Sequence, residues 1–178
     1  MSTRESLSVI VPTYNLAHLI EPTLRTVLAQ TDLPDEVVVV DDGSTDDTLA
    51  IVQQLAAESG GVIRVIARPH SGPGATRNAA IAAARGTWIA FLDGDDLWLP
   101  EKLAHVRAAI DADPAATMVT HPCIEVNRAG DELPVPLPGR AISLGPHGER
   151  SWIAKVPLGR RGHFRVDPLQ IRTGDPFG

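Results

Sequence analysis

Three carboxylates lie close together in the segment Asp93-Gly94-Asp95-Asp96. An apolar run at 87–92 precedes them and predicts a buried strand, and Pro100 behind them suits the first turn of a helix. Like charges at this spacing repel and raise each other's pKa, and a divalent cation would relieve that repulsion. Carboxylate oxygens are ligands that Mg²⁺ and Mn²⁺ prefer, and Gly94 lets the backbone bend around a ligand. The alternative is a solvated acidic turn, and these residues alone do not decide between the two.

Two further polar segments also follow predicted strands. They are Pro12-Thr13-Tyr14-Asn15 and Asp41-Asp42-Gly43-Ser44. Each alone has a structural explanation, since Tyr14 can be a half-buried packing residue and Asp42 can form a turn with Ser44. A tyrosine can also stack on a base, and a carboxylate can accept hydrogen bonds from a ring N–H or ribose hydroxyls. The three segments together therefore favour a ligand site.

The first part of the chain alternates strand and helix patterns. Apolar runs predict strands at 7–11, 36–40, 62–67, 87–92 and 117–126. Apolar residues at helical spacing predict helices at 16–28, 46–59, 74–85 and 100–112. This order predicts an α/β fold with a mostly parallel sheet and helices on both faces. Ligands of such sheets bind beyond the carboxyl ends of the strands, where the three polar segments would meet.

Length and charge narrow the class of protein. A chain of 178 residues is about one domain long. Its net charge of −6 argues against a nucleic-acid partner, which would need a basic face. No apolar run is long enough to span a membrane, and no signal-peptide core stands at the start. The sequence predicts a cytoplasmic protein and leaves open a peripheral attachment to the inner face of a membrane.

The composition changes near Asn127. From 128 to 178 proline and glycine are dense and apolar periodicity is weak. A structureless run of this length does not belong inside a compact domain. We therefore predict a compact domain at 1–127, followed at 128–178 by either a flexible tail or a truncated C-terminal lobe.

Four motifs carry a family resemblance. They are Val9-Ile10-Val11-Pro12-Thr13-Tyr14-Asn15, Val39-Val40-Asp41-Asp42-Gly43-Ser44-Thr45-Asp46, Ala75-Thr76-Arg77-Asn78 and Phe91-Leu92-Asp93-Gly94-Asp95-Asp96. In this order they resemble the family 2 inverting glycosyltransferases of the Rossmann-like GT-A fold, over about 7–126. The resemblance implies that 1–127 binds a nucleotide-sugar and that 128–178 is part of an acceptor-side lobe. It implies a glycosyltransferase with a nucleotide-diphosphate-sugar donor, most often a UDP-sugar, and a divalent cation, Mg²⁺ or Mn²⁺.

The resemblance also assigns residues to the nucleoside. Pro12, through its main chain, and Tyr14 would line the base pocket. Asp42 would hold the base or the ribose. The acceptor stays open, and a polysaccharide, a lipid-linked sugar or a protein would each suit the family.

The acidic segment and one arginine are the candidates to bind the diphosphate and the metal. Asp93, with Gly94 beside it, would lie against the ribose and the metal-bound diphosphate. Asp95 would be the direct metal ligand, with Asp93 as the second acidic residue of the Asp-X-Asp pattern. Arg77 would assist the anionic donor at a helix N-terminus, or else serve as a salt-bridge partner.

The catalytic base is unassigned. An inverting transferase needs a group that deprotonates the acceptor hydroxyl, and in this family it is a carboxylate of the second half, often in a Glu-Asp pair. No such pair follows Asp96, and the carboxylates available there are Asp131, Glu149, Asp167 and Asp175.

One alternative is therefore a non-catalytic nucleotide-sugar-binding fragment. Another is a sugar-phosphate nucleotidyltransferase, which would need a glycine-rich basic loop where 12–15 stands. The segment 72–77 also imitates a dinucleotide fingerprint, but Arg77 replaces its third glycine.

Overall fold

A computed structural model describes residues 4–119 in full. Beyond them it describes only short strand segments at 125–126, 132–133, 143–144, 155–157 and 163–165. Four strands and four helices alternate in the fully described part. They are β1 (Leu7–Thr13), α1 (Ile20–Leu28), β2 (Glu36–Asp41), α2 (Thr48–Glu58), β3 (Ile63–Ala67), α3 (Pro73–Ala83), β4 (Trp88–Phe91) and α4 (Lys102–Ala112).

The four strands form one parallel sheet in the order β3-β2-β1-β4. The chain proceeds outward from β1 through β2 to β3 and then crosses to the other side of β1 to form β4. The direction of winding therefore changes between β1 and β4, and ligands of open α/β sheets bind at such a switch point, beyond the carboxyl ends of the strands.

Apolar side chains cover both faces of the sheet, because successive residues of a strand point to opposite faces. Val9 and Val11 of β1 belong to the larger core with Leu24 of α1 and Val52 of α2. On the other face, Ile10 packs with Ala80 of α3. The valine run of β2 is fully buried, as a strand covered on both faces requires. The prediction of a parallel sheet between two layers of helices is confirmed.

Most predicted elements occur, with shifted ends. The first helix begins at Ile20 instead of residue 16, and Leu19 just before it has a non-helical φ of −124°. Pro22 consequently lies in the first turn of α1, where a missing N–H is tolerated. Of the strand predicted at 117–126, Met118–Val119 and Glu125–Val126 are strands, and the residues between them lie outside the described part of the chain.

A network of charged residues lies at the amino end of the sheet. Glu36, at the start of β2, accepts hydrogen bonds from the Ser8 hydroxyl (2.7 Å), the Arg85 N–H (2.6 Å) and the Arg64 guanidinium (2.9 Å). Arg107 of α4 is buried and donates to the Asp35 carboxylate at 2.9 Å. Each of these partly buried charges is therefore paired, as buried charges must be.

The chain divides into two compact units, the first ending at Arg107 and the second beginning at Ala108. The boundary predicted between 127 and 128 lies outside the described residues. None of the described helices is long and apolar enough to cross a membrane.

Candidate functional site at the carboxyl edge of the sheet

The acidic segment forms a tight turn directly after β4. Phe91, the last residue of β4, pairs with Ile10, whereas β1 continues to Thr13. The turn therefore folds beside the end of β1, and the N–H of Asp96 donates to the carbonyl of Asp93 at 3.1 Å. This arrangement brings the acidic turn next to the polar segment at 12–15.

Gly94 is the buried pivot of this turn. A Cβ added there would lie 2.8 Å from Leu16 Cδ1, 3.2 Å from the Pro12 carbonyl and 3.3 Å from Ile20 Cδ1. The carbonyl of Gly94 also accepts a hydrogen bond from the Thr23 hydroxyl at 3.1 Å. A side chain here would crowd the Pro12 carbonyl, so glycine suits this close approach, and Asp93 and Asp95 are exposed on either side.

Arg77 of α3 and Asp93 form an ion pair across the site. The guanidinium Nη2 donates to the Asp93 carboxylate at 2.7 Å. Arg77 is mostly buried, with 23% of its side chain exposed, whereas Asp93 is half exposed. Of the two roles predicted for Arg77, salt-bridge partner and diphosphate contact, the structure contains the first.

The charges of the acidic turn affect one another. Burial raises the pKa of the Asp96 carboxyl above its usual value, and the nearby Asp95 and Asp93 carboxylates raise it further. Among the described residues no group of three or more His, Cys, Asp or Glu side chains is arranged to hold a metal ion. A Mg²⁺ or Mn²⁺ site needs only one or two carboxylates when phosphate oxygens and water supply the other ligands. The exposed Asp93 and Asp95 fit that requirement.

On the other side of the site, Tyr14 and Asp42, the residues predicted to contact the nucleoside, lie beside His70. Tyr14 is 42% exposed, and its ring centroid lies 4.3 Å from that of His70 with the planes tilted by 31°. The Nδ1 atom of His70 lies 2.9 Å from Asp42 Oδ2. The predicted packing role of Tyr14 therefore exists, but with an exposed ring partner and not in the core.

Asp42 is buried, and its carboxylate is well supplied with donors. It accepts hydrogen bonds from the backbone N–H of Ser71 (3.1 Å to Oδ1), the Ser71 hydroxyl (3.0 Å) and the N–H of Gly72 (2.9 Å). Burial alone would raise the pKa of Asp42, but these hydrogen bonds, led by the Ser71 N–H, hold it below its usual value. The Asp42 side chain is therefore ionised at neutral pH and fixes the start of α3.

The neighbouring Asp41 forms the turn that the sequence suggested for Asp42. Its carboxylate accepts hydrogen bonds from the N–H (3.0 Å) and the hydroxyl of Ser44. Asn15 has a positive φ of 52°, and its side-chain oxygen accepts the Thr45 N–H at 2.8 Å. These bonds tie the loop after β1 to the loop after β2, and they hold Tyr14 in place beside Asp42.

The sequence analysis did not place His70, a residue of the loop after β3, at the site. The ring is about half exposed, but it contacts both predicted nucleoside residues. A signal was available, because His70 follows β3 closely and so lies at the same edge of the sheet as Tyr14 and Asp42. Local spacing alone does not show which of the loop residues turn toward the site.

Comparison with known proteins decides the family. The sequence model of glycosyl transferase family 2 matches residues 8–164. The chain belongs to glycosyl transferase family 2. The succinoglycan biosynthesis protein ExoO of Rhizobium meliloti is 38% identical over 170 residues, which are 95% of this chain and 44% of ExoO.

Two solved structures share the fold of the described part of the chain. A structure of residues 1-349 of Staphylococcus aureus TarS in complex with UDP is 36% identical, with a TM-score of 0.62, and the match covers 72% of this chain and 38% of that fragment. The mannosyltransferase PcManGT of Pyrobaculum calidifontis, in complex with GDP-Man and Mn²⁺, is 35% identical, with a TM-score of 0.59 and coverage of 65% and 34%. The predicted GT-A fold class is confirmed, and the chain spans less than half the length of each relative.

Proposed function

We propose that this chain supplies the donor-binding half of an inverting glycosyltransferase that takes a UDP-sugar. The observation that carries the proposal is the meeting of three polar segments at the carboxyl edge, beside the switch point between β1 and β4. An exposed aromatic ring, a buried ionised carboxylate and an exposed acidic pair lie there together. A nucleoside diphosphate offers a matching base, ribose and anionic diphosphate.

Each group of the site matches one part of the donor. The Tyr14 ring would stack on the base, Asp42 would accept a hydrogen bond from the base or the ribose, and the Pro12 main chain would border that pocket. Asp93 and Asp95 would hold Mg²⁺ or Mn²⁺ together with diphosphate oxygens. The bound cation would supply a Lewis acid that offsets charge on the departing diphosphate.

Arg77 is suited to a second task. It already faces Asp93, and a guanidinium can bind phosphate oxygens in a fixed geometry. We infer that Arg77 orients the Asp93 carboxylate and would also contact the diphosphate of a bound donor.

The second half of the reaction needs groups outside the described residues. The carboxylates that sequence offers as a general base, Asp131, Glu149, Asp167 and Asp175, all lie there. The relative WfaP is named for transfer to a sugar on diphosphoundecaprenol, and ExoO for succinoglycan biosynthesis. We therefore propose a lipid-linked sugar or a growing polysaccharide as the acceptor, at the cytoplasmic face of a membrane.

Calorimetry tests the donor assignment. UDP is titrated into the purified chain with Mn²⁺ and, separately, with chelator, and CDP and ADP serve as comparison nucleotides. We expect UDP to bind in the presence of Mn²⁺, more weakly with chelator, and more tightly than either comparison nucleotide. If none of the three nucleoside diphosphates binds, the proposal is wrong. If all three bind equally well, only the choice of uridine is wrong.

A further inference from the structure

His70 makes two contacts at once at the candidate site. Its ring lies against the ring of Tyr14, with the centroids 4.3 Å apart, and its Nδ1 lies 2.9 Å from Asp42 Oδ2. The same Nδ1 lies 3.1 Å from the backbone carbonyl of Asp42. A planar aromatic ring therefore rests on the tyrosine and points one ring nitrogen at the buried aspartate.

The chemistry of Asp42 fixes which His70 nitrogen carries a proton. Hydrogen bonds hold the pKa of Asp42 below its usual value, so its carboxylate can only accept. The Asp42 carbonyl can only accept as well. Nδ1 of His70 therefore carries a hydrogen, which it donates to the Asp42 carbonyl at 3.1 Å, and the Asp42 carboxylate lies within ion-pair distance of the same nitrogen.

These contacts are those that a nucleobase would make in the proposed donor site. Uracil is also a planar ring, and its N3–H is a ring donor that a carboxylate can accept. We propose that His70 competes with the nucleobase for its position beside Tyr14 and Asp42, and that the base of the donor must displace it. This inference rests on the proposed function.

The surroundings of His70 allow it to leave. Its side chain is 56% exposed, whereas that of Asp42 is 3% exposed. When the imidazole swings into water, Asp42 keeps its donors from Ser71 and Gly72, so the carboxylate is not left unpaired. The cost of displacement is thus limited to one hydrogen bond and one ring contact.

The sign of a mutational effect tests the proposal. Removal of a competitor tightens binding, whereas removal of a supporting residue weakens it. We expect His70→Ala to lower the Kd of UDP about two- to ten-fold, which corresponds to one net hydrogen bond. The Kd of inorganic pyrophosphate with Mn²⁺ should not change, since that ligand has no base.

Two further variants separate the two contacts. His70→Phe keeps a ring beside Tyr14 but has no N–H, and His70→Asn keeps an N–H but has no ring to stack. Both should bind UDP with an affinity between those of the wild type and His70→Ala. His105→Ala is the matched control, because His105 is exposed on α4, and it should bind UDP like the wild type.

Nuclear magnetic resonance of the unaltered chain gives an independent measurement. The Nδ1–H resonance of His70, shifted by the ring current of Tyr14, should be observed without ligand. It should disappear on addition of UDP. If the wild type binds UDP but His70→Ala binds it equally or more weakly, the competitor role is wrong and the donor site stands. If UDP binds to neither protein, the donor site itself is wrong, and the competitor role is overturned with it.

Discussion

The guanidinium of Arg77 lies 2.7 Å from the carboxylate of Asp93, so a cation on α3 already faces the acidic turn that follows β4. The pair connects two segments that are separated in sequence and meet only at the carboxyl edge of the sheet. A metal ion bound at the proposed site would compete with this positive charge, so we expect the pair to lower the affinity for metal.

Replacement of Arg77 should have opposite effects on two ligands. Arg77→Gln removes the positive charge beside Asp93, so Mn²⁺ alone should bind up to about five-fold more tightly, as expected for an exposed ion pair. UDP should bind more weakly, because the variant lacks the guanidinium proposed to contact the diphosphate. Electron paramagnetic resonance measures free Mn²⁺, and calorimetry measures UDP.

Arg77→Lys is the control for charge without the planar donor geometry. It should retain the wild-type affinity for Mn²⁺ and lose part of the affinity for UDP. If Arg77→Gln changes the affinities for Mn²⁺ and for UDP in the same direction, the ion pair does not oppose metal binding.

Loss of the Asp95 carboxylate should abolish the effect of metal on donor binding. In Asp95→Asn we expect UDP affinity with Mn²⁺ to fall on the order of ten-fold or more, toward the value measured with chelator. Calorimetric titrations of both proteins, with Mn²⁺ and with chelator, give the four affinities. Asp111→Asn changes an exposed acidic residue of α4 and controls for net charge. Four equal affinities would rule out Asp95 as a metal ligand.

Replacement of Gly94 by alanine should disturb the acidic turn, because the added methyl group crowds atoms of neighbouring segments. Its Cβ would come within 2.8 Å of Leu16 Cδ1 and 3.2 Å of the Pro12 carbonyl. We expect Gly94→Ala to lower the free energy of unfolding by about 1–3 kcal/mol and to weaken Mn²⁺-dependent UDP binding. Chemical denaturation and calorimetry measure the two effects.

Gly60→Ala is the matched control for Gly94→Ala. Gly60 has a positive φ of 64°, but no atom lies within 4 Å of an added Cβ. It should lose stability through backbone strain alone and leave UDP binding unchanged. Unaltered UDP binding by Gly94→Ala would show that the turn adjusts without effect on the site.

The fold and the placement of the three polar segments at one edge could be predicted because they depend on local patterns. The valine run of β2 and the apolar spacing of α1 are properties of short segments, and parallel topology then places Tyr14, Asp42 and Asp95 at one edge. Contacts between distant segments could not be predicted in this way. His70 faces Tyr14 only because the loop after β3 bends toward β1.

Arg107 shows the same limit in a helix. Val106 is one of the apolar residues at helical spacing in α4, yet its neighbour Arg107 is the more deeply buried of the two. Its burial depends on Asp35, which precedes β2 and supplies a carboxylate 2.9 Å away. Periodicity within one helix contains no information about a charge on another element.

Acid should destabilise the protein partly through Glu36. Burial would raise the pKa of Glu36, but hydrogen bonds from Arg64, Ser8 and the Arg85 N–H hold it below its ordinary value of 4.5. The unfolded chain then binds the proton first as pH falls. The stability that Glu36 contributes is therefore complete above about pH 4.5 and is lost as pH falls through the lower folded pKa.

Glu36→Gln should accordingly lose about 1–3 kcal/mol of unfolding free energy at pH 7, because the Arg64 guanidinium loses its charged partner. Between about pH 5 and about pH 3 its stability should fall less steeply than that of the wild type. Urea denaturation across this range gives both values. Glu101→Gln, at an exposed carboxylate, should keep the wild-type slope. An unchanged slope in Glu36→Gln would contradict the prediction.

The position of the Glu36 network has a practical consequence for protein engineering. Glu36 begins β2 and Asp41 ends it, which separates the amino-end charges from the ligand-facing loops by about 16 Å along one strand. Substitutions that far apart usually have additive effects. Substitutions at the amino end that raise thermal stability, or attachment to a surface through Arg85, should therefore leave the proposed nucleotide binding at the opposite end unchanged.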